Sequence, residues 1–250
     1  MKYLTNTSTD PHFNMAFDEW CLEHLDAGEP VFYLWRNRPS VIIGLNQDAA
    51  QEVNLPYLEA HGITLARRTT GGGAVYHDLQ NLNYTFIGPL TGGNTELTPK
   101  PFVNALRKLG IPAELTGRND IFVDGRKVSG YAKRIWKDRA MIHGTLMYNV
   151  DIDTLTEVLS TPESKLSRKG VASVRSRVTN LKDTLPQFPT LDSLQAALHS
   201  ELAGSDYGLE LPAGALDEIR SLAETKFSTR EWLYRQVSKA TVHGDEMYTT

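Results

Sequence analysis

The most constraining feature of the sequence is the pair Asp124-Gly125, which lies between two runs of residues that favour β-strands. The preceding run covers residues 121–123 and the following run covers residues 126–135. A two-residue turn of this type needs a positive φ at both positions, which Asp and Gly tolerate, and it joins antiparallel strands. The sequence therefore predicts a β-hairpin in which Val123 lies opposite Arg126 and Asp120 lies opposite Ser129.

The other patterns place strands in the first 150 residues and helices in the last 100. Strands are predicted at 31–35 and 40–44, around a turn, and at 83–87 and 141–150. Helices are predicted from the N-cap Asp10 to Gly28, and at 47–61, 101–109, 153–160, 190–203, 212–225 and near Trp232. Residues 90–99 read as a loop. We expect one mixed α/β domain over residues 1–250, with a core at about 1–182 and a helical C-terminal portion at 183–250.

Composition excludes several classes of protein. The chain has 26 basic and 30 acidic residues, a net charge of −4, which argues against a nucleic-acid binder that neutralises phosphates. The single cysteine, Cys21, excludes a disulfide framework and a cysteine-rich zinc site. Cys21 follows the aromatic stripe of the first helix and is expected to be buried. No apolar run approaches the length of a membrane span, and the N-terminus lacks a signal-peptide pattern, so we expect a cytoplasmic protein without a membrane partner.

Three glycines, Gly71-Gly72-Gly73, follow the pairs Arg67-Arg68 and Thr69-Thr70. Glycine permits a positive φ and a close approach of ligand to backbone, and successive amide groups in such a turn can bind an anion. Arg67 and Arg68 are predicted to grip a carboxylate or phosphate with their guanidinium groups. The pattern matches neither a Walker A loop nor a dinucleotide-binding turn. An ordinary glycine turn with a solvated arginine pair remains the alternative.

The hairpin carries a second candidate group. Strand alternation would place Lys127 and Ser129 on one face, near Asp120. A carboxylate, an ammonium and a hydroxyl at one end of a hairpin could hold a magnesium–phosphate group. A solvent-exposed hairpin with ordinary polar residues is equally compatible with this spacing.

His143-Gly144 lies inside an otherwise apolar strand. A glycine in a strand often marks the close approach of a ligand or another backbone. A lone histidine there is more often a structural residue with its hydrogen bonds satisfied, and no other histidine has metal-ligand spacing to it.

Six ordered blocks of residues lie over about residues 10–182. The blocks are Trp35-Arg36-Asn37 with Val41-Ile42-Ile43-Gly44; Arg67-Arg68-Thr69-Thr70-Gly71-Gly72-Gly73-Ala74-Val75-Tyr76-His77-Asp78; Gly117-Arg118-Asn119-Asp120; Arg126-Lys127-Val128-Ser129-Gly130; Lys137-Asp138-Arg139 with His143-Gly144-Thr145-Leu146; and Ser173-Val174-Arg175-Ser176-Arg177-Val178-Thr179-Asn180-Leu181. Taken together, these blocks resemble the lipoate–protein ligase A family.

The resemblance implies the fold of the biotin/lipoate protein ligases, a mixed sheet flanked by helices, and a reaction in two steps. Lipoate attacks the α-phosphate of ATP with Mg²⁺ present, which gives lipoyl-AMP and pyrophosphate. A lysine of an acceptor then takes the lipoyl group. The implied acceptors are apo lipoyl domains of 2-oxoacid dehydrogenase E2 subunits and the glycine cleavage H protein.

By position, the resemblance makes Lys127 the catalytic residue, in contact with both the lipoate carboxyl group and the adenylate phosphate. It makes Asp120 the metal ligand. The implied nucleotide- and acyl-binding residues are Arg68, Gly73, Ala74, Val75, Tyr76, His77, Asn119, Asp120, Lys127, His143 and Gly144.

Many ligases of this family carry a further C-terminal accessory domain, and we expect a chain of 250 residues to lack it. A separate accessory protein could then be needed for transfer, while activation would proceed unaided. Three other readings stay open: an acyltransferase that uses a preformed donor or a thioester at Cys21, a biotin ligase, and a catalytically silent lipoate- or nucleotide-binding protein.

Overall fold

The computed structural model describes residues 1–25, 28–90, 97–117, 119–159, 178–204 and 208–235. Within them, ten strands form two sheets. The strands are β1 (Lys2–Tyr3), β2 (Val31–Trp35), β3 (Ser40–Ile43), β4 (Thr64–Arg67), β5 (Val75–His77), β6 (Asn81–Pro89), β7 (Ala113–Thr116), β8 (Asp120–Val123), β9 (Arg126–Trp136) and β10 (Arg139–Met147). The mixed α/β prediction is confirmed.

The larger sheet has the strand order β1-β2-β6-β10-β9-β8-β7 and is antiparallel except for the pair β1–β2. The smaller sheet has the order β4-β3-β5, with β3 parallel to β4 and antiparallel to β5. Strands β2 and β3 were predicted around a turn, and both exist, but they lie in different sheets. The segment between them therefore crosses from one sheet to the other.

Helices cover both faces of the larger sheet. They are α1 (Pro11–His24), α2 (Ala49–Glu52), α3 (Leu55–Ala60), α4 (Lys100–Lys108), α5 (Ile152–Val158), α6 (Leu191–Ala203), α7 (Ala215–Leu222) and α8 (Arg230–Leu233), with a π-helical turn at Ala223–Phe227. Asp10 caps α1 as predicted, because its carboxylate accepts from the amides of His12 and Phe13. The predicted single helix at 47–61 is wrong, because the segment forms two short helices, α2 and α3. Asn54 is the N-cap of α3: its side chain accepts from the amide of Tyr57, and Pro56 lies in the first turn.

One face of the larger sheet packs against α4 and α6 through the buried rings of Phe32, Tyr84, Phe86 and Phe102. The opposite face packs against α1 and α7, with Tyr33, Trp35 and Met141 buried between them. Residues within a strand alternate between these two faces, as pleating requires. The C-terminal helices pack into all three apolar cores of the described chain and form no separate body.

The Asp124-Gly125 turn is confirmed, with φ of 49° and 73° at the two residues. The predicted register holds for the pairs Val123–Arg126 and Phe122–Lys127 but not beyond them. A β-bulge at Val128 shifts the pairing, so Asp120 lies opposite Gly130 and not opposite Ser129. Two-residue alternation fails at a bulge because one strand gains an unpaired residue. No helix in the described part of the chain is long and apolar enough to cross a membrane.

Candidate functional site

A cavity of about 160 Å³ lies between the α1-facing side of the larger sheet and the glycine loop, residues 68–74. Strands from both sheets and helix α1 contribute to its wall. The lining residues are Met15, Trp35, Ile42, Arg68, Gly72, Gly73, Ala74, Val75, His77, Asn83, Asn119, Lys127, Gly130, Tyr131, Ala132, His143, Gly144 and Thr145. The glycine loop, the hairpin and the His143 strand, which are far apart in sequence, thus meet around one space.

Arg68 organises the glycine loop from within. Its buried guanidinium donates to the carbonyl oxygens of Gly71, at 2.8 Å, and Gly73, at 2.7 Å, and to the carbonyl of Ile42. Burial lowers its pKa to about 10, so the guanidinium still carries its charge near neutral pH. Arg68 was predicted to grip a ligand, and it does reach the cavity wall, but several of its hydrogen bonds hold the loop.

The loop's carbonyls fix the direction of its amides. In a trans peptide the N–H points away from the preceding C=O. Because Gly71 and Gly73 turn their carbonyls toward Arg68, the amides of Gly72 and Ala74 point to the other side. Among the hydrogen bonds of the described residues, none uses the amide of Gly72, Gly73 or Ala74 as donor. The predicted anion cradle therefore has available donors, and the buried Arg68 supplies positive charge behind them.

Arg67 plays a different part from the one predicted. Its side chain is 0% exposed and donates to five backbone carbonyls, which belong to Gly44, Leu45, Gln47, Trp232 and Leu233. The prediction that it grips an anion is wrong, because its donors face carbonyls of the protein. Arg67 ties the start of the glycine loop to the C-terminal helix.

Lys127 and Asp120 lie together at one end of the cavity. Nζ of Lys127 is 2.7 Å from Oδ1 of Asp120, and about a third of each side chain is exposed. The same ammonium lies about 3.2 Å from the position that a Cβ would take on Gly130. Ser129 instead faces the opposite side, where it is buried and its Oγ is 3.5 Å from the hydroxyl of Tyr84. The predicted sharing of one face by Lys127 and Ser129 is wrong because the bulge at Val128 intervenes.

Asn119 closes the same end of the cavity. Its side-chain amide donates to the carbonyl of Tyr131, and its own carbonyl accepts from the amide of Tyr131. Gly144 is required for packing: a Cβ there would lie 2.4 Å from the hydroxyl of Tyr84. The close approach predicted from a glycine in a strand is thus that of a tyrosine ring. Arg118 and residues 173–177 of the family-like blocks lie outside the described residues.

A buried hydrogen-bond network stands behind the cavity, centred on Asp18 of α1. Its carboxylate accepts from Nδ1 of His143 at 2.6 Å, from Oγ1 of Thr85 at 3.0 Å and from the hydroxyl of Tyr33. Since the carboxylate can only accept, Nδ1 of His143 carries a hydrogen, and Nε2 lies 2.7 Å from the hydroxyl of Thr70. His143 is therefore satisfied on both nitrogens, as expected of a structural histidine, and it also lines the cavity.

Asp18 was not among the residues predicted from the sequence. The available signal was a carboxylate four residues after Asn14, on a helix with apolar residues at 15–17 and 20–22. Both side chains are buried, and an unsatisfied buried carboxylate is costly, so such a residue must have partners. Those partners come from three strands, which no local pattern could supply.

His77 lies deeper in the same wall. Asn14 donates to Oδ1 of Asn37 at 2.7 Å, which leaves Nδ2 of Asn37 to donate to Nδ1 of His77 at 3.1 Å. Nε2 of His77 therefore carries the hydrogen. Burial, Arg68 and His143 together lower the pKa of His77 to about 3, so the ring is neutral near neutral pH.

Tyr76 departs from the predicted set. Its side chain is buried in the core beneath the smaller sheet and does not line the cavity, whereas its neighbours Val75 and His77 do. This is the alternation of a strand, so any contact of Tyr76 with a ligand would be through its backbone. Cys21 is 0% exposed, as predicted, and burial raises the pKa of its thiol. A buried thiol of this kind is not a nucleophile for an acyl group.

The profile of the lipoyl protein ligase A/B catalytic domain matches residues 10–203. The chain belongs to this family. Lipoate-protein ligase LplJ of Bacillus subtilis (strain 168) is 37% identical over 257 aligned positions, which cover 99% of this chain and 78% of that protein.

Two solved structures of lipoate protein ligases share the fold of this chain. The bi-partite lipoate protein ligase of Thermoplasma acidophilum, described with its E2 lipoyl domain, superimposes with a TM-score of 0.82 at 30% identity, over 93% of this chain and 95% of that one. A lipoate-protein ligase A bound with ATP gives a TM-score of 0.77 at 30% identity, over 93% of this chain and 98% of that one. The predicted family and fold are confirmed.

Within this family fold, the cavity gathers most of the predicted site residues. Arg68, Gly73, Ala74, Val75, His77, Asn119, Lys127, His143 and Gly144 line it. Asp120 lies beside it through its contact with Lys127. What each of these residues binds remains a prediction. Trp35, Asn83 and Thr145 are among the other lining residues and were not predicted as site residues.

Proposed function

We propose that the chain is an ATP-dependent lipoate–protein ligase, which activates lipoate as lipoyl-AMP and transfers the lipoyl group to a lysine of an acceptor. The observation that carries the proposal is the single cavity where Lys127 and the outward amides of the glycine loop meet apolar walls. The family and the names of the B. subtilis and ATP-bound relatives support the same substrates.

The first step brings two anions together. A carboxylate oxygen of lipoate attacks the α-phosphorus of ATP, the bond from that phosphorus to the bridging oxygen breaks, and pyrophosphate leaves. The ammonium of Lys127 reduces repulsion between the carboxylate and the phosphate and offsets charge in the transition state. The amides of Gly72 and Ala74 are the proposed donors to phosphate oxygens, with the charge of Arg68 behind them.

The side chain of Lys127 is paired with Asp120 and about a third exposed. An exposed pair of this kind is weak, so an arriving carboxylate can compete for the ammonium. We expect Lys127 to exchange Asp120 for substrate oxygens as lipoate and ATP bind.

We also propose that Mg²⁺ accompanies the nucleotide in the first step. The described residues contain no group of three or more His, Cys, Asp or Glu side chains placed to hold a metal. Mg²⁺ that accompanies a nucleotide is usually held by one or two carboxylates and the substrate phosphates, and Asp120 fits as such a carboxylate. Its Oδ1 has the ion pair with Lys127 but no well-directed hydrogen bond. When bound, the ion would offset charge on the phosphates.

In the second step the amine of an acceptor lysine attacks the carbonyl carbon of lipoyl-AMP, and AMP leaves. The proposed acceptors are apo lipoyl domains of 2-oxoacid dehydrogenase E2 subunits and the glycine cleavage H protein. The description of the T. acidophilum ligase with an E2 lipoyl domain supports the first of these. We place the reaction in the cytoplasm.

We further propose that transfer is weak without a separate accessory protein. The support is the overlap with 95% of a chain described as part of a bi-partite ligase. Efficient lipoylation of an apo lipoyl domain by the purified chain with lipoate and ATP would contradict this requirement and leave the activation step standing.

The test of the activity is pyrophosphate release with ATP and each of lipoate, octanoate and biotin. We expect release with lipoate and none with biotin. Activity with biotin would indicate a biotin ligase, and no release with any acid would indicate a silent binding protein or a transferase that uses a preformed donor. A Cys21→Ala variant with unchanged lipoate activity would separately exclude a thioester at the buried Cys21.

A further inference from the structure

The cavity has a polar end far from Lys127, formed by two side chains whose donors have no acceptor. Nε2 of His77 and Nδ2 of Asn83 are both buried, and no hydrogen-bond partner for either exists among the described residues. His77 is 3% exposed and Asn83 is 1% exposed, and both line the cavity. Buried polar atoms are almost always paired, so two unpaired donors in one wall indicate a ligand that accepts hydrogen bonds there.

The orientation of each donor is fixed by its neighbours. The relay from Asn14 through Asn37 leaves Nε2 of His77 as the nitrogen that carries hydrogen. Oδ1 of Asn83 accepts from Nδ2 of Asn81 at 2.9 Å, so the NH₂ of Asn83 is the group that remains. Neither group can offer an acceptor instead without losing its existing hydrogen bond.

Both donors lie next to Trp35. Asn83 is the cross-strand partner of Trp35 between β2 and β6. The ring of His77 meets the ring of Trp35 edge to face, with centroids 6.3 Å apart. The indole N–H of Trp35 is itself used, since it donates to Oγ1 of Thr85 at 2.9 Å. This end of the cavity therefore combines an apolar aromatic wall with two unpaired donors.

The register of the larger sheet gives the distance to the other end. Asn83 lies opposite Thr145 of β10, and Oγ1 of Thr145 accepts from the amide of Gly130 on β9. Two strand spacings, about 10 Å, thus separate Asn83 from Gly130, where the ammonium of Lys127 lies. This is comparable to the length of an extended eight-carbon acid. A chain whose carboxylate meets Lys127 would place its far end at Trp35, His77 and Asn83.

We propose that His77 and Asn83 are specificity-determining residues that recognise the distal end of the acyl chain, as donors to the sulfur atoms of a 1,2-dithiolane ring. Sulfur is a weak acceptor and highly polarisable, so it suits N–H groups beside an aromatic ring. A saturated alkyl end would leave both buried donors without an acceptor. Unpaired buried donors cost free energy, so the site would bind such an analogue less tightly than an acid whose end accepts hydrogen bonds. The site would therefore favour lipoate over octanoate.

This inference rests on the proposed activity, and its test is designed to be separable from it. The decisive probe is 5-cyclopentylpentanoate, which replaces both sulfurs of lipoate by CH₂ and keeps the ring size and the chain. Pyrophosphate release with ATP gives kcat/KM for lipoate, for this analogue and for octanoate. We expect the wild-type protein to favour lipoate over the carbocyclic analogue by about tenfold or more.

Variants then assign the preference to the two residues. Asn83→Leu and His77→Phe each remove the unpaired donor at similar volume, together with the acceptor that serves Asn81 or Asn37. The lost acceptor affects both acids alike, so each variant is still expected to reduce the preference for lipoate over the carbocyclic analogue by about three- to tenfold. The kcat/KM for lipoate should therefore fall by more than the kcat/KM for the analogue. Asn104→Leu makes the same chemical change on the exposed side of α4 and should leave the ratio unchanged.

Three results would overturn the inference: equal kcat/KM for lipoate and the analogue in the wild type, an unchanged ratio in both variants, or a parallel fall for both acids in a folded variant. The first result is measured on the wild-type protein alone, so it would overturn the inference even if both variants failed to fold. Absence of pyrophosphate release with every acid in the wild type would instead overturn the proposed function.

Discussion

Arg67 and Trp232 hydrogen-bond each other twice, although 165 residues separate them in the chain. Nε of Arg67 donates to the carbonyl of Trp232 at 2.9 Å, and the indole N–H of Trp232 donates to the carbonyl of Arg67 at 3.0 Å. The same guanidinium also holds the carbonyl of Gly44, against which the glycine loop packs. The position of the loop is thereby coupled to that of the last described helix.

Replacing this guanidinium should destabilise the protein strongly. An Arg67→Met variant keeps much of the side-chain volume but leaves five buried or partly buried carbonyls without that donor, so we expect a loss of about 3 kcal/mol or more in the free energy of unfolding. Urea denaturation measures it. Arg220→Met, which removes an exposed guanidinium from α7, should change stability by less than about 0.5 kcal/mol. Similar midpoints for the two variants would show that the buried bonds contribute little.

Lys127→Ala should abolish activation while leaving the protein folded. Removing a charge that acts in the transition state is expected to slow pyrophosphate release by about 10²–10³-fold or more. Its ion pair with Asp120 is partly exposed, so thermal stability should change little. Lys108→Ala, at the end of α4, removes a comparable exposed pair with Glu201 of α6 and is the control. Pyrophosphate release at the wild-type rate by the folded Lys127→Ala variant would show that Lys127 is not the catalytic residue.

Gly44→Ala should displace the backbone of the glycine loop. A Cβ at residue 44 would lie 2.2 Å from the carbonyl oxygen of Gly72, and backbone must move to admit it. We expect pyrophosphate release to fall by about 100-fold, because small displacements of positioning groups are costly for catalysis. Gly88→Ala, where the nearest atom is 3.3 Å away in Pro30, should keep most of the activity. Equal activity of the two variants would show that the loop tolerates displacement.

Stability should fall in mild acid partly because of His77. In the unfolded chain its pKa is near 6.5, whereas in the folded protein it is about 3, so the unfolded state binds more protons between these values. Stability therefore rises with pH through this window, and the contribution is lost as pH falls from 6.5 toward 3. At pH 5 the expected loss is about 2 kcal/mol relative to neutral pH.

Urea denaturation at pH 5 and pH 7.5, for the wild type and for His77→Gln, tests this expectation. Burial also lowers the pKa of His199, which acts in the same direction, so the difference between the two proteins is the informative quantity. His61→Gln, at an exposed histidine, should retain the wild-type dependence. An equally steep loss in His77→Gln would show that protonation of His77 is not responsible.

Local patterns predicted most elements because each depends on a few adjacent residues. The Asp10 cap, the Asp124-Gly125 turn and the strands around Phe86 and His143 lie where the sequence indicates. The errors arose where a non-local pairing decided the outcome. The bulge at Val128 is invisible to two-residue alternation, and it moved Ser129 away from Lys127.

The prediction that both Arg67 and Arg68 bind a ligand was wrong for Arg67. Adjacent guanidiniums beside three glycines suggested two ligand-binding groups, yet Arg67 is 0% exposed and serves backbone carbonyls. Which of two neighbouring arginines faces a cavity depends on strand alternation and on what packs behind each one. The carbonyls of Trp232 and Leu233 that bind Arg67 belong to the far end of the chain.

The sequence by itself determined the family, the mixed architecture and a set of residues that converge on one cavity, because turns, caps and ordered motifs are local. Only the tertiary structure revealed Asp18 beneath His143, the different roles of Arg67 and Arg68, and the unpaired donors of His77 and Asn83. Burial and hydrogen-bond partners are properties of the packed chain. They depend on which distant segments meet, and no local sequence pattern contains that information.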